Sequence, residues 1–355
     1  MNLSTEEEQQ YNRHLILDEI GKSGQLKLKN SKILVIGAGG LGCPILQYLT
    51  AAGIGTIGIV DHDTIDKSNL QRQVLYTHDD LGQFKTEVAA NKLSRLNPFI
   101  KFEVHLKKVT SKTAIDLFSK YDIIIDGSDN FPTRYLVNDA AILTNKPLVF
   151  GSIFKFEGQV SVFNYKNGPT YRCLYPNPPK PNEVPNCSEI GVLGVLPGII
   201  GSLQANEVLK IILEVGDVLS GKILTFNALS SKQLILSFEK NMDISIQKLD
   251  DNYEGFCGIT KEITEITFQD YEQNKLKYNV LDVRTLTERN NYHIDSLHIP
   301  LNKLNKRLNE VPQNKNLLVY CKSGVRSKIA IEILNKNGFN KNIVNLKGGI
   351  SIEHQ

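Results

Sequence analysis

The 355-residue sequence lacks tryptophan, contains five cysteines, and carries a net charge of only +3. The cysteines are odd in number and widely scattered, which excludes the framework of a small disulfide-rich protein. Free thiols are typical of a reducing compartment, so we expect a cytoplasmic protein. So small a net charge gives no reason to expect a nucleic-acid partner or a membrane surface.

A long uninterrupted apolar run, as expected for a membrane span, is also missing. The longest apolar stretch, 192–213, is interrupted by Pro197, Gln204, Asn206 and Glu207, so we expect a loop that runs into a buried helix there. The first ten residues, MNLSTEEEQQ, are polar and acidic, unlike a secretory signal.

The length allows two domains, and the first has an α/β pattern over residues 1–240. An apolar run at 32–37 ends in glycines, and a helical pattern and a second strand follow over 43–61. This β-α-β order predicts parallel strands. The alternation at 147–164 is typical of antiparallel strands, so we expect a Rossmann-like domain with a mixed sheet.

A second, smaller α/β domain is predicted over residues 262–355. The polar segment 241–261 is interpreted as a linker. Strand patterns at 278–284 and 316–324 follow, and then a helical pattern at 327–339.

The first candidate site is the motif Gly37-x-Gly39-x-x-Gly42, which ends a strand and opens a helix. Glycines at these positions let backbone N–H groups approach a phosphate at the helix N-terminus. Asp61 follows at the end of the next strand, where a carboxylate suits a ribose hydroxyl. These features alone fit both NAD and ATP.

Cationic residues beyond Asp61 favour a triphosphate. Arg72 lies in DHDTIDKSNLQRQ (61–73), and Lys85 lies near the start of the next helix. Such side chains neutralise the charge of the phosphates. Asp129, at the end of another strand, could hold Mg²⁺. Solvated surface charges and a helix cap at Asp129 are the alternative, but their joint placement at strand ends of one α/β unit favours the phosphate site.

Four stretches resemble the adenylyltransferases that activate ubiquitin-like sulfur carriers, the molybdopterin-synthase adenylyltransferases and their thiazole-pathway relatives. They are YNRHLILDEIGKSGQLKLKNSKILVIGAGGLGCPILQYLTAAGIG, VDHDTIDKSNLQRQVL, GSDNFPTRYLVNDA and GVLGVLPGIIGSLQANEVLK. The resemblance covers residues 10–240. It implies that Mg²⁺ and ATP serve to adenylate the C-terminal Gly-Gly carboxylate of a small ubiquitin-fold protein.

The resemblance also implies roles for single residues. The nucleotide-binding residues are Gly37, Gly39, Gly40, Gly42, Asp61, Asn69, Arg72, Lys85, Asp129 and Asn130. Arg13 would reach the phosphates of the neighbouring subunit, so a homodimer is implied. A carboxylate is already a nucleophile, so alignment and charge neutralisation suffice and no general base is needed.

Such enzymes often hold zinc with two C-x-x-C pairs, and this sequence departs from that pattern. It has TYRC at 170–173 and EGFC at 254–257, so Cys173 and Cys257 each lack a second cysteine. Structural zinc sites favour four cysteine or histidine ligands. We therefore expect no structural zinc and interpret both thiols as packing residues.

Cys187, in NCSEIGVLG, follows a proline-rich stretch that predicts a long loop. The resemblance matches it to a loop cysteine that takes the activated carrier as a covalent adduct, and a thiol is a competent nucleophile. An incidental loop cysteine is the alternative. Cys43, in the first helix, is interpreted as a core residue.

The second candidate site is CKSGVRS, residues 321–327, after the apolar run LLVY. Converging backbone N–H groups with Lys322 and Arg326 would lower the pKa of Cys321 and stabilise a persulfide. Four residues separate Cys321 from Arg326, so the loop suits a single sulfur atom. LDVRTLTERNNYHIDSLHIPL and NLKGGI nearby resemble the rhodanese family over 262–352, which implies sulfur transfer.

The two sites together predict adenylation of a Gly-Gly-tailed sulfur carrier and sulfur delivery from a Cys321 persulfide, loaded by a donor such as a cysteine desulfurase. The product is a carrier thiocarboxylate for molybdopterin, thiazole or tRNA thiolation, and the sequence does not select among these pathways. Two rivals remain: an activator of a ubiquitin-like modifier that uses a Cys187 thioester, and a non-catalytic nucleotide-binding scaffold.

Overall fold

The computed structural model describes residues 2–179, 191–257, 263–339 and 342–350. The chain divides into two compact units, Met1–Gly258 and Ile259–Gln355.

The described strands of the first unit form one eight-stranded sheet. They are β1 (Lys32–Ile36), β2 (Thr56–Val60), β3 (Lys101–His105), β4 (Ile123–Asp126), β5 (Leu148–Phe154), β6 (Glu157–Phe163), β7 (Lys222–Asn227) and β8 (Lys232–Ser237). Their spatial order is β3-β2-β1-β4-β5-β6-β7-β8. The strands from β3 to β5 are parallel and those from β5 to β8 are antiparallel, which confirms the predicted mixed sheet.

Helices surround this sheet. They are α1 (Thr5–Gln10), α2 (Asn12–Leu15), α3 (Gly21–Asn30), α4 (Gly42–Ala52), α5 (Lys85–Leu96), α6 (Ala114–Phe118), α7 (Phe131–Leu143), α8 (Tyr171–Leu174), α9 (Leu196–Leu213) and α10 (Tyr253–Phe256), with short 3₁₀ turns at Lys67–Asn69 and His78–Asp80. Ile33 and Val35 of β1 pack in one core with α4 and α9, whereas Leu34 and Ile36 pack in a second core with α6 and α7. A strand covered on both faces explains the continuous apolar run KILVI.

Helix α9 accounts for the long apolar stretch of the sequence. Among the described helices, it is the one whose length and composition would allow a membrane crossing. Two of its polar residues are buried and hydrogen-bonded within the unit: Gln204 donates to the Asp126 carbonyl at 2.8 Å, and Glu207 accepts the Leu219 N–H at 2.9 Å. The helix packs as the predicted core helix.

The second unit has a five-stranded parallel sheet over its described residues. Its strands are β9 (Glu265–Ile266), β10 (Tyr278–Asp282), β11 (Leu297–His298), β12 (Asn316–Tyr320) and β13 (Ile343–Leu346), and its helices are α11 (Phe268–Gln273), α12 (Leu286–Asn291), α13 (Leu301–Leu304) and α14 (Val325–Lys336), with 3₁₀ turns at Lys275–Lys277 and Leu308–Glu310. Their order is β11-β10-β12-β13-β9. Strand β12 lies at the centre, so the loop that follows it opens at the middle of the sheet's carboxyl edge.

The described part of the predicted linker, 241–257, packs on the first unit. Tyr253 and Cys257 are both buried in the core that contains α7. The Tyr253 hydroxyl donates to the Asp139 carboxylate at 2.7 Å. A mixed polar composition suggested a linker, but a few apolar residues suffice to fix this segment.

A buried ion pair holds α8 and α10 against α7. Arg172 donates to both oxygens of Asp139, from Nε at 2.8 Å and from Nη2 at 2.7 Å. Its guanidinium also lies over the rings of Tyr135 and Phe256, 4.9 Å and 4.8 Å from their centroids. Planar stacking and bidentate donation are contacts that arginine provides and lysine does not.

Replacing Arg172 by leucine should destabilise the first unit by about 3 kcal/mol, because Asp139 would remain buried without its cation. In a unit of this size, that loss corresponds to a fall of roughly 6–12 °C in the melting temperature. Thermal unfolding followed by circular dichroism measures it. The matched control is Arg95→Leu on the exposed face of α5, which should change the melting temperature by about 2 °C or less. Equal shifts for both variants would contradict the role of the ion pair.

Candidate functional sites

The glycine motif forms the turn between β1 and α4. Gly37 has a φ of +94°, which a residue with a side chain rarely adopts. A Cβ at Gly42 would lie 2.1 Å from the Gly37 carbonyl oxygen, so the turn closes only with glycine there. The Tyr76 hydroxyl donates to the Ala38 carbonyl at 2.8 Å and fixes the turn. The loop is therefore a bare backbone cradle at the start of α4, as an anion site requires.

Asp61 is hydrogen-bonded to the backbone of the glycine loop. Its Oδ2 accepts the N–H of Ala38 and its Oδ1 accepts the N–H of Asp63, both at 2.8 Å. An ionised carboxylate accepts about four hydrogen bonds, so capacity for a ribose hydroxyl remains. The structure thus places Asp61 beside the glycine loop, where the sequence predicted it.

Lys85 is a buried cation at the first position of α5. Its side chain is only 7% exposed, and its Nζ lies 3.0 Å from Oδ2 of Asp63. The interpretation of Lys85 as a solvated surface charge is therefore wrong. Sequence reasoning missed Asp63 as its partner, although Asp63 follows the same strand as Asp61, which ends at Val60. An ammonium group has three N–H donors, so Lys85 can keep Asp63 and still contact phosphate.

Arg72 and Asn69 lie in the turn after β2. A Cβ at Gly40 would lie 3.7 Å from Cγ of Arg72, so the arginine stem flanks the glycine loop. Its Nη1 donates to the Ser68 carbonyl at 3.1 Å. The side-chain oxygen of Asn69 accepts the Asp66 N–H at 3.2 Å, which fixes the turn that carries Arg72.

The carboxyl end of β4 meets the glycine loop from the other side. An ideal Cβ at Gly37 would lie 2.9 Å from the Gly127 carbonyl oxygen, so the two backbones are in close contact. Asp129 follows with an exposed side chain. The helix cap is Asn130, whose Oδ1 accepts the Thr133 N–H at 3.0 Å, and so Asp129 is free of that role.

Two oxygens near Asp129 were not selected from the sequence. Oδ2 of Asp126 and Oγ of Ser128 are buried without a hydrogen-bond partner. Burial raises the pKa of Asp126, against the lowering effect of Arg134. The glycine cradle and the buried lysine at one edge of the sheet fit a bound nucleoside triphosphate.

Two predicted residues are not joined to this group by the described contacts. Arg13 is exposed on α2, and its reach to a neighbouring subunit stays a prediction. Cys187 lies outside the described residues, and so its role stays a prediction as well.

Among the other described cysteines of the first unit, Cys43 and Cys257 are buried in the core, and Cys173 is partly buried. Burial raises the pKa of Cys43 to about 12 and that of Cys257 to about 11. Sγ of Cys173 lies 3.4 Å from the Thr170 hydroxyl. Within the described ranges, the one cluster of metal-ligating side chains is Asp61, His62 and Asp63, which contains no cysteine.

Cys321 follows β12 in the second unit, and its side chain is buried beneath the loop that opens α14. Gly324 has a φ of +85° and turns the chain into the helix. Burial alone would raise the pKa of Cys321. Hydrogen bonds to Sγ outweigh this effect of burial, so the pKa of Cys321 is lowered. The donors are the Ser327 hydroxyl, which lies 3.4 Å from Sγ, and the backbone N–H groups of Ser327, Ser323 and Gly324. The predicted positive nest is present, and neutral donors supply most of it.

Arg326, expected to add free charge to this nest, is paired with Glu288 of α12. Its two terminal nitrogens donate to the two carboxylate oxygens at 2.8 and 2.5 Å. Sequence reasoning missed Glu288, which lies 38 residues before Arg326. Below the loop, Asp282 and Arg284 form a buried ion pair at 2.8 Å.

Comparison with known proteins agrees with this geometry. Residues 11–245 match the model of the ThiF family, and residues 267–351 match that of the rhodanese-like domain. The "Probable adenylyltransferase/sulfurtransferase MoeZ" of Mycobacterium tuberculosis is 43% identical over 98% of this chain and 93% of its own length. The "Sulfur carrier protein adenylyltransferase" of Thermus thermophilus is 47% identical over 73% of this chain and all of its own length.

Two further proteins extend the comparison. The "Adenylyltransferase and sulfurtransferase MOCS3" of Drosophila sechellia is 39% identical over 98% of this chain and 83% of its own length. A crystal structure of E. coli MccB with MccA-N7isoASN superposes with a TM-score of 0.60 at 24% identity, over 69% of this chain and 75% of that one, which supports the fold alone. The chain belongs to the ThiF family and carries a rhodanese-like domain, and it is an enzyme with adenylyltransferase and sulfurtransferase functions.

Proposed function

We propose that the first unit adenylates the C-terminal Gly-Gly carboxylate of a ubiquitin-like sulfur carrier, and that Cys321 of the second unit supplies the sulfur for its thiocarboxylate. The observation that carries the proposal is the presence, in one chain, of a nucleotide cradle with a buried lysine and of a buried cysteine with a lowered pKa. The relative named as a sulfur carrier protein adenylyltransferase supports the choice of substrate.

In the first unit, the carrier carboxylate attacks the α-phosphorus of ATP and pyrophosphate leaves. The carboxylate is already nucleophilic, so the protein has to align the groups and neutralise charge. Lys85 and Arg72 would hold the phosphates, and Asp61 would hold the ribose. Asp129, exposed at the end of β4, would hold Mg²⁺, since carboxylate oxygen is a preferred ligand of that ion.

In the second unit, the Cys321 thiolate takes a sulfur atom from a donor, for which a cysteine desulfurase is a candidate. The resulting persulfide attacks the acyl-adenylate, AMP leaves, and an acyl disulfide forms. A second thiolate then attacks Sγ of Cys321, so that the thiocarboxylate leaves and a disulfide to Cys321 remains. Cys187 is the candidate for that thiolate, and an added thiol could replace it.

The wider setting is also proposed. A homodimer would bring Arg13 to the neighbouring phosphates, and a reducing cytoplasm would keep the thiols free. The carrier could belong to molybdopterin, thiazole or tRNA thiolation. An activator that uses only a Cys187 thioester is less well supported, because it would leave the lowered pKa of Cys321 without a purpose.

Asp129→Ala should abolish exchange of labelled pyrophosphate into ATP in the presence of Mg²⁺ and a Gly-Gly-tailed carrier, because the metal would lose its protein ligand. The exchange is measured by the radioactivity recovered in ATP. Asp122→Ala, an exposed aspartate just before β4, is the matched control and should retain exchange. Full exchange by Asp129→Ala would mean that the metal site is misplaced.

Cys321→Ser should leave pyrophosphate exchange nearly unchanged, because adenylation needs no thiol. The same variant should form no thiocarboxylate, since serine cannot store sulfane sulfur. Mass spectrometry of the carrier detects the product, in which sulfur replaces oxygen. Thiocarboxylate formation at the wild-type rate would show that the second unit is not the sulfur donor.

Ser327→Ala should shift the pH profile of sulfur loading to higher pH. The thiolate is the nucleophile, so kcat/KM rises as pH increases through the pKa of Cys321. Removing the Ser327 hydroxyl removes a hydrogen bond that lowers this pKa, so the rise must move upward. Thiocyanate formation from thiosulfate and cyanide between pH 5 and 9, about the working range of such assays, gives the profile. A lower rate with an unshifted profile would contradict the assignment.

A further inference from the structure

Glu288 is held in place from two sides beside the Cys321 loop. Its carboxylate binds both terminal nitrogens of Arg326, and its Oε2 also accepts the N–H and the hydroxyl of Thr285 at 3.0 and 2.8 Å. The Arg326 hydrogen bonds lower the pKa of Glu288 to about 2. The carboxylate is therefore ionised throughout the range in which the enzyme can work.

The ion pair reduces the positive charge that the loop offers to a bound group. The hydrogen bonds to Glu288 raise the pKa of Arg326, and the charge of the Cys321 thiolate raises it further. Arg326 therefore interacts electrostatically with both groups. Glu288 cancels the charge of Arg326 at close range. Lys322, on the exposed side of the loop, is then the remaining cation of CKSGVRS. Besides Arg326, which also forms a hydrogen bond with Cys321, the donors to Sγ are neutral N–H groups and a hydroxyl.

This charge balance suits some sulfur donors better than others. Thiosulfate brings two negative charges to the loop, whereas the persulfide group of a thiol brings none when protonated and one when ionised. Backbone N–H groups alone can bind an oxyanion, but uncompensated cations such as free arginines strengthen its binding. A site whose arginine is neutralised by a carboxylate loses much of that attraction.

We propose that Glu288 is a specificity-determining residue of the sulfurtransferase unit, which disfavours dianionic oxyanion donors and so favours a persulfide of low charge. The inference rests on the proposed sulfur-transfer function of Cys321. It names the donor class as a thiol-bound persulfide, such as one carried on a cysteine of another protein.

The loading reactions balance in the same way for each donor. With thiosulfate, the Cys321 thiolate attacks the outer sulfur, a new S–S bond forms, and sulfite leaves with the electron pair of the broken S–S bond. With a protonated persulfide, the thiolate takes the outer sulfur and the donor thiolate leaves. Cyanide then removes the sulfur as thiocyanate and restores the thiolate.

The test compares two small donors that differ by one charge, thiosulfate (a dianion) and methanethiosulfonate (a monoanion), in the full-length protein with cyanide as acceptor. Glu288→Gln keeps the size of the side chain and an acceptor for Thr285 but removes the charge. The ratio of kcat/KM for thiosulfate to that for methanethiosulfonate should rise about three- to tenfold at low salt. The rise should shrink at high salt, because Arg326 and Glu288 are 34% and 27% exposed.

Arg326→Gln should change the same ratio in the opposite direction, because Glu288 would then be an uncompensated anion beside the loop. The double variant, Glu288→Gln with Arg326→Gln, should return the ratio to within about twofold of the wild-type value, as expected for two opposing charges in one pair. Glu310→Gln is the matched control. Glu310 binds Arg307 of the same unit through two contacts of 2.6 Å, and its loss should leave the ratio unchanged.

The outcomes distinguish failure of the sulfur-transfer function from failure of the role proposed for Glu288. A wild-type protein that forms no thiocyanate from either donor, and none from a small-molecule persulfide such as cysteine persulfide, would behave like Cys321→Ser and would overturn the sulfur-transfer function itself. If the wild type uses the persulfide alone, Glu288→Gln should gain activity with thiosulfate, and a variant that does not would contradict the role of Glu288. An active wild type, with a Glu288→Gln variant that loses both efficiencies in parallel or keeps the wild-type ratio, would overturn the role of Glu288 alone. If Glu288→Gln fails to fold, the direction of the ratio in Arg326→Gln decides, since a rise or no change contradicts the proposal.

Discussion

Both sites depend on the same constraint: a helix that follows a parallel strand begins with backbone N–H groups that have no partner within the helix. In the first unit these groups lie in the glycine turn before α4, and in the second they lie in the loop before α14. Each loop has a glycine at positive φ, Gly37 in one and Gly324 in the other. The first cradle is proposed to bind phosphates, whereas the second surrounds one sulfur atom.

The two cysteines next to these helices show how much position matters. Cys43 is the second residue of α4, yet burial raises its pKa to about 12. Its sulfur lies 3.8 Å from the Ala38 carbonyl, which is an acceptor and does not stabilise a thiolate. Cys321 precedes its helix, so that N–H groups and the Ser327 hydroxyl point at its sulfur and lower its pKa. The start of a helix lowers the pKa of a thiol only when the sulfur faces the free N–H donors.

The strands, the mixed sheet and the two loops could be predicted because each depends on a local pattern. KILVI requires a strand covered on both faces, and the spacing of Gly37 and Gly42 requires a tight turn. The partners of the charged residues could not be predicted in this way. Lys85 pairs with Asp63, 22 residues away in the sequence, and Arg326 pairs with Glu288, 38 residues away. Only the packing of separate elements brings these pairs together. The polar segment 241–257 was interpreted as a linker because it has few apolar residues, but two of them, Tyr253 and Cys257, are buried in the core of the first unit.

Lys85 and Arg326 are both paired with a carboxylate, but the two pairs leave different charges available. Asp63 binds one donor of Lys85 and is itself 52% exposed, so water screens the pair and the ammonium keeps two free donors. Glu288 occupies both terminal nitrogens of Arg326 and is fixed by Thr285. Lys85 therefore keeps its cationic character, as the proposed contact with a highly charged triphosphate requires, whereas Arg326, beside a single sulfur atom, is nearly neutralised. The carboxylate that pairs with the cation beside each loop therefore determines how much negative charge a ligand can bring there. That carboxylate, Asp63 or Glu288, lies outside the loop motif.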